Sequence, residues 1–207
     1  MLRQMPTNLP NLLTLFRIAV IPGLVVLFYI ETKFASWLAC GLFSLAAITD
    51  FFDGYIARAT KQQSAFGKFL DPVADKLLVA SALLMMVAFG QISGLLILPA
   101  LVILCREITV SGLREYLAGL RVSMPVSQLA KWKTTLQMLA IAVLIVGDNG
   151  PRDVPVSDIG AVGLWVAAIL TIVTGYDYLR AGLRHIERED SEDEAEDAEL
   201  VSGGNAK

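Results

Sequence analysis

At 207 residues, 55% hydrophobic and only 18% charged, with a mean hydropathy of +0.60, the chain has more apolar surface than a water-soluble domain of its size can bury. That excludes an ordinary soluble enzyme and points to an integral membrane protein. The formal net charge of −3 conceals an uneven distribution: the acids crowd into residues 187–199, the remainder is basic, and no nucleic-acid partner is expected.

A helix that crosses a bilayer needs about 20 mostly apolar residues. Six stretches qualify, at roughly 9–30, 34–57, 69–90, 93–116, 129–147 and 158–181. The expected fold is therefore all-α, an integral membrane bundle of six transmembrane helices. The first stretch starts too late and runs too long for a cleavable signal peptide. Residues 1–186 are expected to form the transmembrane domain. Residues 187–207, which begin Glu-Arg-Glu-Asp-Ser-Glu-Asp-Glu, are expected to be an acidic, solvated and disordered tail. Cys40 and Cys105 sit within apolar runs at no metal-ligand spacing and read as packing residues.

Basic residues alternate between loops. Arg58, Lys61 and Lys68 flank the second link, Arg121, Lys131 and Lys133 the fourth, and Arg180, Arg184 and Arg188 follow the sixth stretch. The other loops hold only Lys33 and Arg152. The positive-inside rule then puts both termini and the even-numbered loops in the cytoplasm.

One run stands out. Asp50-Phe-Phe-Asp53-Gly54-Tyr-Ile-Ala57-Arg58 is followed by Gly67, Asp71 and Asp75. Carboxylates beside hydrocarbon are costly and are usually kept for function. On helices, Asp50 and Asp53 share one face, as do Asp71 and Asp75. If the two helices lie antiparallel, four carboxylates meet, and two divalent ions would balance their charge. Hard oxygen ligands suit Mg²⁺ or Mn²⁺, and a pair of such ions grips a diphosphate. Gly54 allows close approach to the helix backbone. The Arg58 fork is placed to hold a phosphate. Pro72 fits a helix first turn, which would make Asp71 an N-cap as well as a ligand. An ion-paired polar seam between helices is the alternative without chemistry. It accounts poorly for four aspartates at this spacing with their glycines.

The run resembles the signature of the CDP-alcohol phosphotransferases, D-x-x-D-G-x-x-A-R-x(8)-G-x(3)-D-x(3)-D, at all eight fixed positions in 26 residues. The resemblance implies six-helix membrane enzymes, often homodimers, that move a phosphoryl-linked group from a CDP-activated donor to an alcohol. It implies that Asp50, Asp53 and Asp71 bind metal, with Asp75 as general base and additional ligand, and that two Mg²⁺ or Mn²⁺ ions are held. Gly54, Ala57, Arg58, Ser64 and Gly67 would line the CDP site.

Within the family, three further stretches are similar to the members that use glycerol 3-phosphate as acceptor and CDP-diacylglycerol as donor. They are Asn8-Leu-Pro-Asn11-Leu-Leu-Thr14-Leu-Phe-Arg17, then Arg106-Glu107-Ile108 with Leu113-Arg114-Glu115, and Lys131-Trp132-Lys133-Thr134 with Gln137. The similarity runs from about residue 8 to 183. It implies a bacterial cytoplasmic (inner) membrane location, multi-pass, with the active site facing the cytoplasm. Asn11, Thr14 and Arg17 are candidates for nucleotide contacts, while Asn11 and Thr14 serve equally as helix-end hydrogen bonders.

Read from the residues, Arg106, Arg114, Lys131 and Lys133 form a basic cluster near the cytoplasmic ends of the fourth and fifth stretches. It would suit the phosphate of an anionic acceptor. Snorkelling anchors to anionic headgroups are the other reading, and Arg121 fits that one. Two functions compete: a Mg-dependent membrane prenyltransferase, against which the Gly54, Ala57-Arg58 and Gly67 framework argues, and a cation transporter, which would need carboxylates near the midplane. Cardiolipin or phosphatidylinositol-phosphate synthesis is the nearest rival within the family.

Overall fold

The computed structural model describes residues 9–60, 65–119 and 128–204. Within these, side-chain surroundings are described except at 9–11, 50–60, 65–69, 130, 177, 181 and 183–204. Six helices follow one another: α1 (Leu9–Tyr29), α2 (Lys33–Thr60), α3 (Ala65–Ala88), α4 (Ile97–Gly119), α5 (Gln128–Val146) and α6 (Val156–Gly204). No strand occurs among the described residues. Their order follows the six apolar stretches, because a long apolar run satisfies its backbone groups internally as helix, and α1 and α3 continue through Pro22 and Pro72.

Two boundaries differ from expectation. α3 starts at Ala65, so Asp71 and Pro72 lie inside the helix and Asp71 is not its N-cap. Pro72 cannot donate to the carbonyl four residues back, and its own carbonyl accepts the Lys76 ammonium at 2.7 Å. At the other end, α6 continues as helix through the acidic tract to Gly204, where a disordered tail was expected. Glu and Ala are good helix formers, and a helix already nucleated upstream extends cheaply.

The bundle is built from two triplets. α1 packs on α2 and α3, while α6 packs on α4 and α5. The triplets join chiefly through α2 against α5, and α3 meets α4 and α5 only lightly. Small residues on α6 permit its close approach. A Cβ at Gly160 would stand 2.7 Å from Leu144 Cγ, and one at Gly163 would stand 3.0 Å from Ala140 Cβ. The core of Leu24, Phe43, Leu78, Met86, Ile103, Ile141 and Leu164 lies where the triplets meet.

Polarity is inverted relative to a soluble protein. Leu84, Val162 and Ile169 are 68%, 64% and 57% exposed, whereas Thr14, Arg17, Lys133, Gln137, Thr171 and Thr174 are buried. Apolar surface of this extent outside, with polar groups inside, is what a bilayer solvates. Among the described residues, three helices are long and apolar enough to cross a membrane by length and composition: Leu12–Tyr29, Gly94–Gly119 and Val156–Arg180. α2, α3 and α5 are shorter in apolar length because each carries charge toward one end: Asp50 to Arg58, Lys68 to Lys76, and Lys131 with Lys133.

The opposite end of the bundle is closed by aromatic contacts and hydrogen bonds. The Phe89 ring meets Phe28 at a tilt, centroids 5.8 Å apart, and Tyr29 edge-to-face at 5.1 Å. The Asn149 amide donates to Ser36 Oγ at 2.8 Å, and the Trp37 indole N–H donates to the Asn149 carbonyl at 3.3 Å. Lys33 reaches the Gly150 carbonyl at 3.4 Å.

Gly160→Ala should therefore drive a methyl into Leu144 and cost about 1–3 kcal/mol, seen as a lower Tm of the detergent-purified protein. Gly41→Ala, whose Cβ would meet nothing within 4 Å, should leave Tm unchanged or slightly raised. Equal behaviour of the two variants would mean that the α5–α6 contact is looser than described.

Candidate active site

The charged end of the bundle gathers the predicted site residues. Asp50, Asp53, Gly54, Ala57 and Arg58 ride on the last turns of α2, and Gly67 on the first turns of α3. Their side-chain surroundings, like that of Asn11 on α1, lie outside the described residues, and Ser64 lies outside them altogether. Asp71 and Asp75 are described. They sit four residues apart on α3, hence on one face.

Thr14 ties α1 to this face. It is fully buried, and its hydroxyl donates to Asp71 Oδ1. That contact replaces a helix-end role for Thr14 with a bond between α1 and α3. It also orients one of the candidate metal ligands. Arg17, one turn further along α1, is fully buried too. Asp75 opens into a cavity of about 380 Å³ between α3, α4 and α5. The polar part of its wall includes Glu107, Ser111, Glu115, Thr134 and Gln137, and Leu77, Leu104 and Ile108 supply apolar surface.

Among the described residues no group of three or more metal-binding side chains occurs. What is described nonetheless fits a hard cation: two carboxylates on one helix face, one of them already oriented by a buried hydroxyl, with oxygen as the only donor type. Asp50 and Asp53 at the end of α2 would complete such a set.

The basic quartet divides. Lys133, only 1% exposed, donates to Glu107 Oε1. Arg106 Nη1 reaches the same oxygen at 3.5 Å, and its Nη2 donates to Thr174 Oγ1 at 3.3 Å. Glu107 thus joins both cations, and Asp75 lies within electrostatic reach of Lys133. Gly175 makes the room: a Cβ there would stand 3.0 Å from Arg106 Cγ. Arg106 Nε–H is buried and meets no acceptor among the described residues. Arg114 lies over the Tyr178 ring, 5.6 Å from its centroid, a cation–π arrangement. Lys131 is exposed, apart from the others.

Sequence reasoning quoted Glu107 and Gln137 without giving them work, and it passed over Thr174, Gly175 and Tyr178. A Thr-Gly pair deep in an apolar stretch was the available signal, since it marks a hydroxyl acceptor beside a close approach.

Residues 7–173 match the model of the CDP-alcohol phosphatidyltransferase family. The chain belongs to that family. It is 51% identical over 174 residues to a Rickettsia bellii CDP-diacylglycerol–glycerol-3-phosphate 3-phosphatidyltransferase, covering 84% of this chain and 94% of the relative. The Cereibacter sphaeroides protein of the same name is 40% identical, with 88% and 98% covered. Among solved structures, the apo phosphatidylinositol phosphate synthase of Mycobacterium tuberculosis shares the fold, with a TM-score of 0.62 at 19% identity over 84% of this chain and 88% of that one. The same protein has also been solved in complex with manganese and citrate.

Removing the shared counter-ion tests the cluster. Glu107→Leu should leave the sealed Lys133 charge uncompensated and cost about 3–5 kcal/mol. The double variant Glu107→Leu/Lys133→Met should recover most of the loss in thermal unfolding. A Glu107→Leu protein as stable as the native one would remove Glu107 from this role.

Proposed function

We propose that the chain transfers the phosphatidyl group of CDP-diacylglycerol to sn-glycerol 3-phosphate, forming phosphatidylglycerol phosphate and CMP. The observation that carries this reading is the 51% identity, over most of both chains, to a relative named for that reaction, together with the complete aspartate signature. The basic cluster supports an anionic acceptor over a neutral alcohol. A second acceptor within the same reaction class is the alternative that the 19%-identical synthase brings to mind.

Asp50, Asp53, Asp71 and Asp75 would hold two divalent ions, Mg²⁺ or Mn²⁺, which when bound offset the charge of the donor diphosphate and of the leaving CMP. Thr14 keeps Asp71 turned toward the site. Gly54, Ala57, Arg58, Ser64 and Gly67 line the CDP side, with Asn11 and Thr14 near the nucleotide. Arg106 and Lys133, held by Glu107, and Arg114 attract the acceptor phosphate, and Lys131 adds to the field at the entrance.

Asp75 then takes the proton of the acceptor's 1-hydroxyl. That oxygen bonds to the β-phosphorus as the bond from phosphorus to the bridging oxygen breaks, and CMP departs with the electron pair. The bundle works as a six-span, multi-pass protein of the bacterial inner membrane, with both termini and the site on the cytoplasmic side, the basic loops supporting that orientation. Residues 1–186 act as the membrane domain, and the acidic stretch from 187 stays in water. Two copies form the working homodimer.

CMP release by purified protein with Mg²⁺ and CDP-diacylglycerol should require glycerol 3-phosphate and fail with inositol 1-phosphate, serine or phosphatidylglycerol. Release with another of these instead would overturn the acceptor but keep the reaction class. Asp75→Asn should cut turnover about 10²–10⁴-fold while sparing the KM for CDP-diacylglycerol. Near-native turnover would remove Asp75 as the base.

A further inference from the structure

Two polar side chains on α5 are almost completely sealed from solvent. Lys133 and Gln137 are each 1% exposed. Four residues apart, they project from one inward face, about 6 Å from each other along the helix axis. Lys133 has Glu107 as its counter-ion. Gln137 differs: its Oε1 is buried and accepts no hydrogen bond from any described residue. Native proteins rarely leave a buried acceptor unmade, because the lost solvation is not returned. Gln137 also lines the cavity whose wall includes the Asp75 carboxylate. An orphan acceptor and the proposed base thus share one chamber, with a buried cation one helical turn away.

A three-carbon polyol phosphate has a matching layout. Its phosphate sits on one terminal carbon, the reacting hydroxyl on the other, and a secondary hydroxyl lies between them. With the phosphate toward Lys133 and the reacting hydroxyl at Asp75, the secondary hydroxyl is left to meet the α5 wall, where a donor is missing. We propose that Gln137 determines acceptor specificity by accepting a hydrogen bond from the acceptor's unreactive secondary hydroxyl. The inference rests on the function proposed above and adds to it the reason that the acceptor must be a vicinal diol rather than any short phosphorylated alcohol. A site built to bond a hydroxyl discriminates strongly against the analogue that lacks it, because its own polar atom is then left bare.

The test compares glycerol 3-phosphate with 3-hydroxypropyl phosphate, which keeps the terminal hydroxyl and the phosphate but has no secondary hydroxyl. CMP release from CDP-diacylglycerol is measured for the native protein, Gln137→Leu and Gln137→Glu. The native kcat/KM should favour glycerol 3-phosphate by about tenfold or more. In Gln137→Leu the preference should fall to near one, through a raised KM for glycerol 3-phosphate, with the KM for CDP-diacylglycerol unchanged. Gln137→Glu, which retains an acceptor oxygen, should keep most of the preference. The Tm of Gln137→Leu should equal or exceed the native value, since an apolar group replaces an unmade acceptor.

Undiminished preference in Gln137→Leu overturns the proposal, as does a Tm several degrees lower, which would make the amide a structural residue. Both results leave the reaction itself intact. Failure of the native protein to use glycerol 3-phosphate is a separate result, and it removes the function and this inference together.

Discussion

Charge has to be kept inside a bundle whose outside is hydrocarbon-like, and the architecture turns on that. Glu107 is central: one carboxylate oxygen is shared by the buried Lys133 and by Arg106, which also leans on Thr174. An isolated ammonium in such a place would carry a large desolvation cost, and only a counter-ion with good geometry offsets it. The Lys133–Glu107 pair bridges from α5 to α4, and the Arg106–Thr174 bond holds α4 against α6. One triplet of helices is therefore tied together at its charged end by the same groups that would meet an anionic substrate.

The other triplet is tied at the same end by a different device. The Thr14 hydroxyl links α1 to Asp71 on α3, so a neutral donor stabilises a carboxylate without cancelling its charge. That distinction matters chemically. A carboxylate neutralised by Lys or Arg is a poor cation ligand, whereas one held by a hydroxyl keeps its negative charge for a metal. Between the two triplets, where α3 meets α4 and α5 lightly, lies the cavity containing Asp75 and Gln137. Both triplets thus supply charged groups to its wall, Asp75 and Lys76 from α3, Glu107 and Glu115 from α4. The opposite end, closed by Phe89 against Phe28 and Tyr29, gives the halves a common base.

Much of this was legible beforehand. The six apolar stretches became α1 to α6 because a long apolar run satisfies its backbone polar groups most completely as helix. The aspartate spacing was legible because it is a local pattern: residues three and four apart share a face in any helix. Local pattern misled at Pro72, where a good first-turn residue turned out to lie inside α3.

The partition of the basic quartet was not legible. Lys131 and Lys133 are two apart and look alike in sequence, but one is exposed and the other is 1% exposed beside Glu107. Helical phase alone puts them on different faces; which face is inward depends on where α4 and α6 lie. Sequence by itself determined the helices, the family and the aspartate set, because each rests on runs and spacings within a single stretch of chain. Only the tertiary structure decided which cations are sealed, which hydroxyl holds Asp71 and which amide is left without a donor. Those outcomes depend on packing between α1 and α3, and among α4, α5 and α6, that no local pattern encodes.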